Sequence, residues 1–372
     1  MELVIPMIGL YIHIPFCQNI CYYCDFKKRV SKNSEMIKNY LNRLILELKS
    51  YEKYFNEVRT IYIGGGTPSI LNEEELELLF NELQCFKNIK EFNFEANPES
   101  LTEEKIKILK KYNVNRVSLG VQTFNEDKLK LLGRKHTNEM VYECINNLKK
   151  HNINNINIDL MFALPYQKIE EIKYDLDQFY HLDIPHLSYY SLILEEKTVF
   201  YHQYLKNNLE LVDNSEEANM YEYIIDDLKK HGYKHYEISN FSKDKESIHN
   251  KIYWENKEYI GVGMGACGYL DGIRYENNYL YDEYMKNFRL DEIRLNKLDK
   301  IKEEFMLGLR MIDGVNIKKI NEKYQINAIE MFNLKKYIDE GYLKYDGNLS
   351  FTKKGLLLGN EIFMIFVGED NG

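Results

Sequence analysis

The sequence has 372 residues, of which 49 are basic and 58 acidic, giving a formal net charge of −9 at pH 7. Hydrophobic residues make up 44% and charged residues 29%, proportions that exclude a disordered chain and are typical of a soluble globular protein. The negative charge argues against a nucleic-acid partner or an anionic membrane surface, and no stretch approaches the roughly 18–20 apolar residues of an integral membrane segment.

The amino-terminal segment, MELVIPMIGLYIHIPF, opens with an acidic residue and has no basic region, so we expect no secretory leader and a cytoplasmic location. The length predicts more than one domain. From changes of pattern along the chain, we predict a first domain over 1–195, an accessory region over 196–295 and a last domain over 296–372.

Up to about residue 195, strand patterns alternate with helix patterns. The predicted strands are Gly9–Ile14, Val58–Ile63, Glu91–Glu95, Arg116–Gln122, Ile156–Met161 and Leu187–Leu194. The predicted helices span 34–55, 73–84, 102–111, 137–150 and 168–180. Regular alternation of this kind indicates an α/β fold with a parallel sheet, either doubly wound or rolled into a barrel.

The predicted strands have one polar face. In the third strand, Glu91, Asn93 and Glu95 share one face, and Phe92 and Phe94 share the other. Parallel strands buried on both faces are usually apolar throughout, and branched apolar side chains fill the lumen of an ordinary eight-stranded barrel. We therefore predict a partial (β/α)6 barrel with a polar lumen and a lateral opening. The alternative is an antiparallel half-solvated sheet, against which the intervening helices argue.

After residue 195 the pattern changes. The accessory region has an amphipathic helix over 215–231 and a glycine-rich segment, YIGVGMGACGYLDGIRYEN, that predicts a hairpin or an accessory sheet. The last region has helices and a DGN turn at Asp346–Asn348 between two short strands, which is typical of a winged-helix-like α+β module. Basic and acidic residues are equally numerous there, so the charge pattern of a DNA-binding domain is missing and a packing or docking role is expected.

Three of the six cysteines, Cys17, Cys21 and Cys24, form a CxxxCxxC motif directly after the first predicted strand. In a reducing compartment such crowding indicates a metal or catalytic site rather than disulfides. Three thiolates can hold three corners of a cubane iron–sulfur cluster. The fourth iron would then accept a small molecule that bears an amine and a carboxylate. A zinc site completed by Asp25 or His13 is the alternative.

With this motif the sequence resembles the radical S-adenosylmethionine (SAM) superfamily and, within it, the oxygen-independent coproporphyrinogen III oxidase-like group. The resemblance extends over nearly the whole chain. It implies a six-stranded partial barrel, a [4Fe–4S] cluster on the three cysteines and SAM at the open iron. In active members, a reductant protein such as a flavodoxin or ferredoxin delivers the electron that cleaves SAM to a 5′-deoxyadenosyl radical, so that the cofactor supplies the difficult chemistry.

The resemblance also implies the SAM-binding residues. The glycine-rich turn after the second strand, GGGTPS, would contact the amino-acid end of SAM, and Glu95 would hold its ammonium group. The implied contacts are Tyr11, Tyr23, Gly65, Gly66, Thr67, Glu95, Gln122, Arg134 and Asp159. One departure lies beside the fifth strand, where Ala163 and Tyr166 replace the glycines of the related GLPGQ motif and add bulk.

Two features favour the HemW-type haem chaperones within this group. Asp25-Phe26 follows the third cysteine where porphyrinogen dehydrogenases read Gly-Cys, and few residues precede the first strand. The resemblance implies haem binding, with His249 of the HNxxYW motif as an iron ligand, and haem transfer to an acceptor protein. Two alternatives stay open, namely a radical oxidoreductase that decarboxylates coproporphyrinogen III or modifies another tetrapyrrole, and a zinc- or cluster-stabilised scaffold without redox activity.

Overall fold

The computed structural model describes residues 7–30 and 33–367. Residues 1–6, on which the prediction about a secretory leader depends, lie outside this range. The strands are β1 (Ile8–Ile14), β2 (Phe16–Cys17), β3 (Arg29–Val30), β4 (Val58–Gly65), β5 (Glu91–Ala96), β6 (Arg116–Gln122), β7 (Asn155–Phe162), β8 (His186–Ser191), β9 (Lys234–Glu237), β10 (Asn240–Ser242), β11 (Tyr259–Val262), β12 (Cys267–Leu270), β13 (Ile273–Asn277), β14 (Arg289–Arg294), β15 (Val315–Asn316), β16 (Leu343–Tyr345) and β17 (Asn348–Phe351).

The helices lie mostly between the strands and on the outer side of the sheet. They are α1 (Ser34–Lys49), α2 (Glu73–Leu83), α3 (Glu103–Lys111), α4 (Glu126–Leu132), α5 (Asn138–Lys150), α6 (Ile169–His181), α7 (Val199–Leu205), α8 (Asn214–Lys230), α9 (Ile248–Trp254), α10 (Tyr281–Lys286), α11 (Lys297–Gly308), α12 (Ile317–Tyr324), α13 (Ala328–Met331), α14 (Leu334–Asp339), α15 (Lys353–Leu357) and α16 (Gly359–Val367). Two 3₁₀ turns span Glu52–Tyr54 and Pro68–Ile70.

Six parallel strands form the predicted partial barrel. They lie in the order β1, β4, β5, β6, β7 and β8, each hydrogen-bonded to the next. Their apolar faces are buried against the helices; in β1, Leu10, Ile12 and Ile14 are completely covered. The alternating Tyr11 and His13 face the lumen, because successive side chains of a strand point to opposite faces. The predicted α/β fold with a polar lumen is confirmed.

The accessory strands extend the barrel sheet rather than forming a separate one. Strand β11 pairs in parallel with β1, and β12, β13 and β14 follow it as antiparallel strands. At the other edge, β10 and β9 add antiparallel strands beside β8. The result is one twelve-stranded sheet. Its inner face therefore continues from the barrel into the accessory region, across the predicted boundary at residue 195.

Glu47 of α1 ties the accessory strands to the barrel, a role that the sequence did not indicate. Its carboxylate is almost fully buried and accepts hydrogen bonds from Gly263 N (2.8 Å), Asn277 Nδ2 (2.6 Å) and Tyr284 OH (2.7 Å). Burial raises the pKa of Glu47, although these three donors oppose the rise. A buried carboxylate is stable only with such partners, so the three bonds fix the position of the accessory strands.

The carboxyl-terminal residues form the winged-helix-like module that the DGN turn predicts. Strands β15, β17 and β16 make its small sheet, and its own apolar cluster includes Phe305, Leu334 and Phe366. It docks on β9 through backbone hydrogen bonds from Ile238 N to Arg310 O and from Ile312 N to Tyr236 O. None of the helices in the described ranges is both long enough and apolar enough to cross a membrane.

Candidate cluster and cofactor site

The loop with the three cysteines is fixed to the barrel wall. Cys17 lies in β2, which pairs in parallel with β3 and so closes the loop at its base. The imidazole of His13 donates from Nε2 to the Lys27 carbonyl (2.8 Å) and accepts at Nδ1 from Tyr11 OH (2.8 Å). Burial lowers the pKa of His13 to about 4. A neutral His13 therefore holds the end of the loop to the first barrel strand.

The three thiols line one cavity and meet donors from other elements. Thr67 Oγ1 lies 3.6 Å from Cys17 Sγ, and Arg134 Nη1 lies 3.7 Å from Cys21 Sγ. Burial raises the pKa of Cys17 and of Cys24. In the part of the chain that the structure describes, no three histidine, cysteine or carboxylate side chains gather around a single metal-ion position. A cubane places each thiolate on a different iron, so it needs sulfurs more widely spaced than one ion does.

The glycine-rich turn after β4 brings backbone against the cysteine loop. At Gly66, a Cβ atom would lie 2.7 Å from the Phe16 carbonyl oxygen and 2.9 Å from Cys17 Sγ, so a side chain does not fit there. Gly65 has a φ of +116°, a conformation that favours glycine. Its N–H donates to Glu95 Oε2 at 3.0 Å. The turn thus places the backbone directly beside the first cysteine.

The first cavity has a volume of about 470 Å³ and lies over β4 to β8. It brings together eleven of the thirteen site residues predicted from the sequence. These are Cys17, Cys21, Tyr23, Cys24, Gly65, Gly66, Thr67, Glu95, Gln122, Arg134 and Asp159. Tyr11 and His249 do not line it. Side chains from the ends of several parallel strands thus converge at one site, as in barrel enzymes generally.

Glu95 is the titratable group best suited to a cationic ligand in this cavity. Burial raises its pKa to about 7 and nearby Asp159 adds to the rise, whereas hydrogen bonds from Tyr62 OH (2.6 Å) and Gly65 N oppose it. An ammonium group beside such a buried carboxylate stabilises its ionised form, because the positive charge replaces the interaction with water that burial removes.

Asp159 and Arg134 line the same cavity. Asp159 accepts from Asn157 Nδ2 at 2.8 Å and from Ser118 Oγ at 3.3 Å. Arg134 donates from Nη2 to Asn97 Oδ1 at 2.9 Å, while its buried Nε has no partner within residues 7–30 and 33–367. The cavity thus presents a carboxylate and a guanidinium group that both retain hydrogen-bonding capacity.

Asn93 is a lining residue that the sequence did not single out, although its place on the polar face of the third strand was the available signal. Its Nδ2 and Oδ1 are buried, and neither atom has a hydrogen-bond partner among the described residues. Buried amides normally find partners. Together with the three thiols and the glycine cradle, this donor set fits a polar ligand that combines an ammonium, a carboxylate and hydroxyl groups beside a cluster.

A second cavity, of about 550 Å³, lies beside the first over β1 and β11 to β13. Asp25, Phe26, Gly65 and Glu95 line both cavities and form their common wall. The remaining lining residues are Tyr11, His13, Lys27, Tyr253, Trp254, Tyr259, Gly265, Cys267, Arg274 and Leu307. Aromatic side chains form much of the wall of the second cavity, whereas most of the residues that line the first have polar side chains.

His249 is not brought to either cavity. Its side chain is fully buried, with Nδ1 hydrogen-bonded to Thr60 Oγ1 (2.8 Å) and Nε2 to Tyr253 OH (2.7 Å). Burial lowers its pKa to about 3. The expectation that His249 binds haem iron thus disagrees with this arrangement, because both ring nitrogens are engaged. The neighbouring motif residues Tyr253 and Trp254 do line the second cavity.

Glu91 fixes the helix that presents these two aromatic residues. Its carboxylate accepts from the backbone nitrogens of Ile248 and His249, both at 2.9 Å, and from Ser247 Oγ at 3.2 Å. A carboxylate at a helix amino terminus satisfies N–H groups that have no partner inside the helix. Glu91 therefore couples the start of β5 to the wall of the second cavity.

Two parts of the chain, in the barrel and in the carboxyl-terminal module, match models of known protein families. Residues 11–179 match the model of the Radical SAM superfamily, and residues 295–358 match that of the HemN C-terminal domain. The chain is 44% identical over 371 residues to a Lactococcus lactis protein named Heme chaperone HemW, with 97% of each chain covered. Proteins of the same name from Bacillus subtilis and Escherichia coli are 40% and 31% identical to this chain. Each alignment covers 98% of this chain, and the alignments cover 100% and 99%, respectively, of the two relatives.

Among solved structures, the fold is similar to that of coproporphyrinogen III oxidase (HemN) from Escherichia coli, described as a radical SAM enzyme. The TM-score is 0.84 at 22% identity, over 97% of this chain and 90% of that chain. At this identity the likeness shows the shared fold alone.

Proposed function

Because the chain belongs to the radical SAM superfamily and, within it, to the family of proteins named heme chaperone HemW, we propose that it binds haem and transfers it to acceptor proteins. Superfamily membership implies a [4Fe–4S] cluster and SAM. The resemblance predicted from the CxxxCxxC motif and its neighbours is thereby confirmed at the level of the family.

We assign the cluster to Cys17, Cys21 and Cys24, whose thiols share the first cavity. When bound, the cluster can pass one electron to SAM. The carboxylate of Glu95 pairs with the ammonium group of SAM, and Arg134 donates to its carboxylate. Asp159 would accept from ribose hydroxyls, and the backbone of Gly65 and Gly66, which line the cavity without side chains, would contact the amino-acid end of SAM.

We assign haem to the second cavity, and the observation that supports this function is that the lumen is divided in two. The first cavity has the polar groups that SAM and the cluster need. The second cavity leaves space for haem, which is larger and flatter than SAM. Its volume of about 550 Å³ lies in the usual range of small-molecule sites. The rings of Tyr253, Trp254 and Tyr259 offer surfaces on which a planar macrocycle can stack.

The proposed partners are a haem-acceptor protein and a reductant protein such as a flavodoxin or ferredoxin. All six cysteines are free, and free thiols persist in a reducing compartment. We therefore propose that the protein works in the cytoplasm.

The test uses the full-length protein, purified and reconstituted anaerobically. Titration with haem should give a saturable Soret band, and mixing the loaded protein with apomyoglobin should transfer the haem to it. A parallel reaction contains coproporphyrinogen III, SAM and a reductant. If haem does not bind and decarboxylated product forms instead, the chaperone proposal is wrong and the protein is a porphyrinogen-modifying enzyme. If iron and sulfide are missing after reconstitution, the cluster assignment fails.

A further inference from the structure

The register of the sheet carries the inner face of the barrel into the second cavity. Tyr11 of β1 lies opposite Gly261 of β11, and Tyr259 is two residues away on the same face. Tyr259 lies opposite Tyr269 of β12, so Cys267 of β12 shares that face too. Residues directly opposite in a sheet point to the same side. Cys267 therefore faces the same lumen as Tyr11, as its place in the cavity wall requires.

Most of the side chains lining the second cavity that are able to bind iron already form hydrogen bonds within the protein. Both nitrogens of His13 are hydrogen-bonded, to Tyr11 OH and to the Lys27 carbonyl. Tyr253 OH is bonded to His249, and Glu95 accepts from Tyr62 and Gly65. Cys267, in contrast, is a free and exposed thiol at the start of β12. It is thus the soft ligand that an incoming iron can reach without breaking a hydrogen bond named above.

The surroundings of Cys267 suit a flat ligand with acidic edges. Arg274, opposite Tyr269 in the register, stacks its guanidinium 4.1 Å from the Tyr269 ring and pairs with Glu303. Lys27 reaches the same cavity with a half-exposed ammonium group, 3.9 Å from Oε1 of Glu276, which lies opposite Cys267 in the register. Trp254, on the wall formed by α9, keeps a buried indole N–H that has no partner in the described part of the chain. Aromatic walls, the half-exposed Lys27 ammonium group and an unpartnered donor together favour a planar, carboxylate-bearing ligand over a purely apolar one.

We propose that haem binds in the second cavity with its iron coordinated by the Sγ of Cys267, and with a carboxylate directed towards Lys27. This inference rests on the proposed function and names the ligand of that site. As the iron–sulfur bond forms, the thiol releases its proton to solvent and no electron is transferred. Cysteine thiolate is an established type of axial haem ligand, and it takes the role that the buried His249 is not placed to fill.

The experiment titrates haem into anaerobically reconstituted wild-type protein and into the variants Cys267→Ser, Cys267→Ala, His249→Ala and Cys85→Ser. Cys85 is also exposed but lies outside both cavities, so it is the matched control. Wild type, His249→Ala and Cys85→Ser should give the strongly red-shifted ferrous–CO Soret band of thiolate-ligated haem. Both Cys267 variants should lose that band and bind haem at least about tenfold more weakly.

A second measurement does not depend on the folding of any variant. Haem should protect Cys267 of the wild-type protein from alkylation, read by mass spectrometry, and should leave Cys85 reactive. An unchanged spectrum and affinity in Cys267→Ser, or equal alkylation of Cys267 with and without haem, would overturn the ligand assignment while wild-type haem binding persists. Absence of haem binding by the wild type would instead refute the proposed function itself.

Discussion

The assignment of Glu95 to the ammonium group of SAM makes the affinity for SAM depend on pH. Only the ionised carboxylate pairs with the ammonium, and burial raises the pKa of Glu95 to about 7. Without ligand, about half of the molecules are therefore ionised at pH 7 and about one in eleven at pH 6, since each pH unit changes the ratio tenfold. The apparent Kd for SAM should thus rise by up to about fivefold from pH 7 to pH 6. The amino group of SAM stays mostly protonated in this window, because α-amino groups titrate near 7.7–8.0.

Isothermal titration of SAM into the anaerobic, cluster-loaded protein at several pH values measures this slope. Glu95→Gln keeps an acceptor for Tyr62 OH but removes the charge, so it should bind SAM more weakly and with little dependence on pH. Glu103→Gln is the control, since hydrogen-bonded ion pairs with Lys150 and His151 hold the pKa of the partly buried Glu103 carboxyl at about 2, outside the window. A flat wild-type profile, or an equal slope in Glu95→Gln, would refute the role given to Glu95.

Three further predictions concern the framework of the site. Glu47→Ala should lower the free energy of unfolding, measured in urea, by about 3 kcal/mol, because three buried donors lose their acceptor. The control Leu46→Ala, on the exposed side of the same helix, should change it by less than about 1 kcal/mol. The contribution of His13 to stability should fall as the pH drops from about 6.5 towards 4, since a His13 whose pKa is lowered to about 4 stays neutral when folded but takes up a proton when unfolded. The difference between the urea-unfolding free energies of wild type and His13→Gln should therefore shrink over that window. Cys21→Ser should abolish the cluster absorbance and bound iron after reconstitution, whereas Cys85→Ser should leave both unchanged.

The barrel strands could be predicted because alternation of polar and apolar residues is a local property. The predicted strand Leu187–Leu194 is too long at its end, however: β8 stops at Ser191, which pairs with Phe162 as the last residue of β7. A strand ends where its hydrogen bonds to the neighbouring strand end. The apolar residues that follow Ser191 continue the sequence pattern, so the pattern does not show where β8 ends. The helices α4 and α7 were also missed, since each has seven residues and its apolar pattern is too short to be distinctive.

The first cavity was predictable and the second was not. Motif residues at the ends of successive parallel strands must meet at one edge of the sheet, whatever the details of packing. The second cavity depends on the register between β1 and β11, and on which face β12 and β13 turn inward. Nothing within YIGVGMGACGYLDGIRYEN determines that register. For the same reason the residue type of His249 suggested a ligand, whereas its burial between Thr60 and Tyr253 is a property of the folded chain alone.

The departures from the related GLPGQ motif affect the backbone as well as the bulk beside the fifth strand. Ala163 and Tyr166 adopt φ values of 56° and 60°, the left-handed conformation that glycine takes most readily. Each such residue costs about 1–2 kcal/mol relative to a right-handed one. Tyr166 offsets part of this cost, because its hydroxyl accepts a hydrogen bond from Glu210 N at 3.1 Å. The turn therefore keeps a shape suited to glycine without having glycine, which a motif comparison alone does not show.

The two cavities are connected through the loop that holds the cysteines. Asp25 and Phe26, which follow Cys24 directly, line both cavities, and Lys27 lines the second while its carbonyl is anchored by His13. Any ligand that fixes Cys24 therefore also fixes three consecutive residues of the second cavity. Because the β2–β3 pairing and His13 already hold this loop, a cluster on one side and haem on the other would contact the same positioned segment. The chaperone's cofactor site and cargo site are in this way parts of a single ordered segment, even though no residue proposed to bind the cluster is proposed to bind haem.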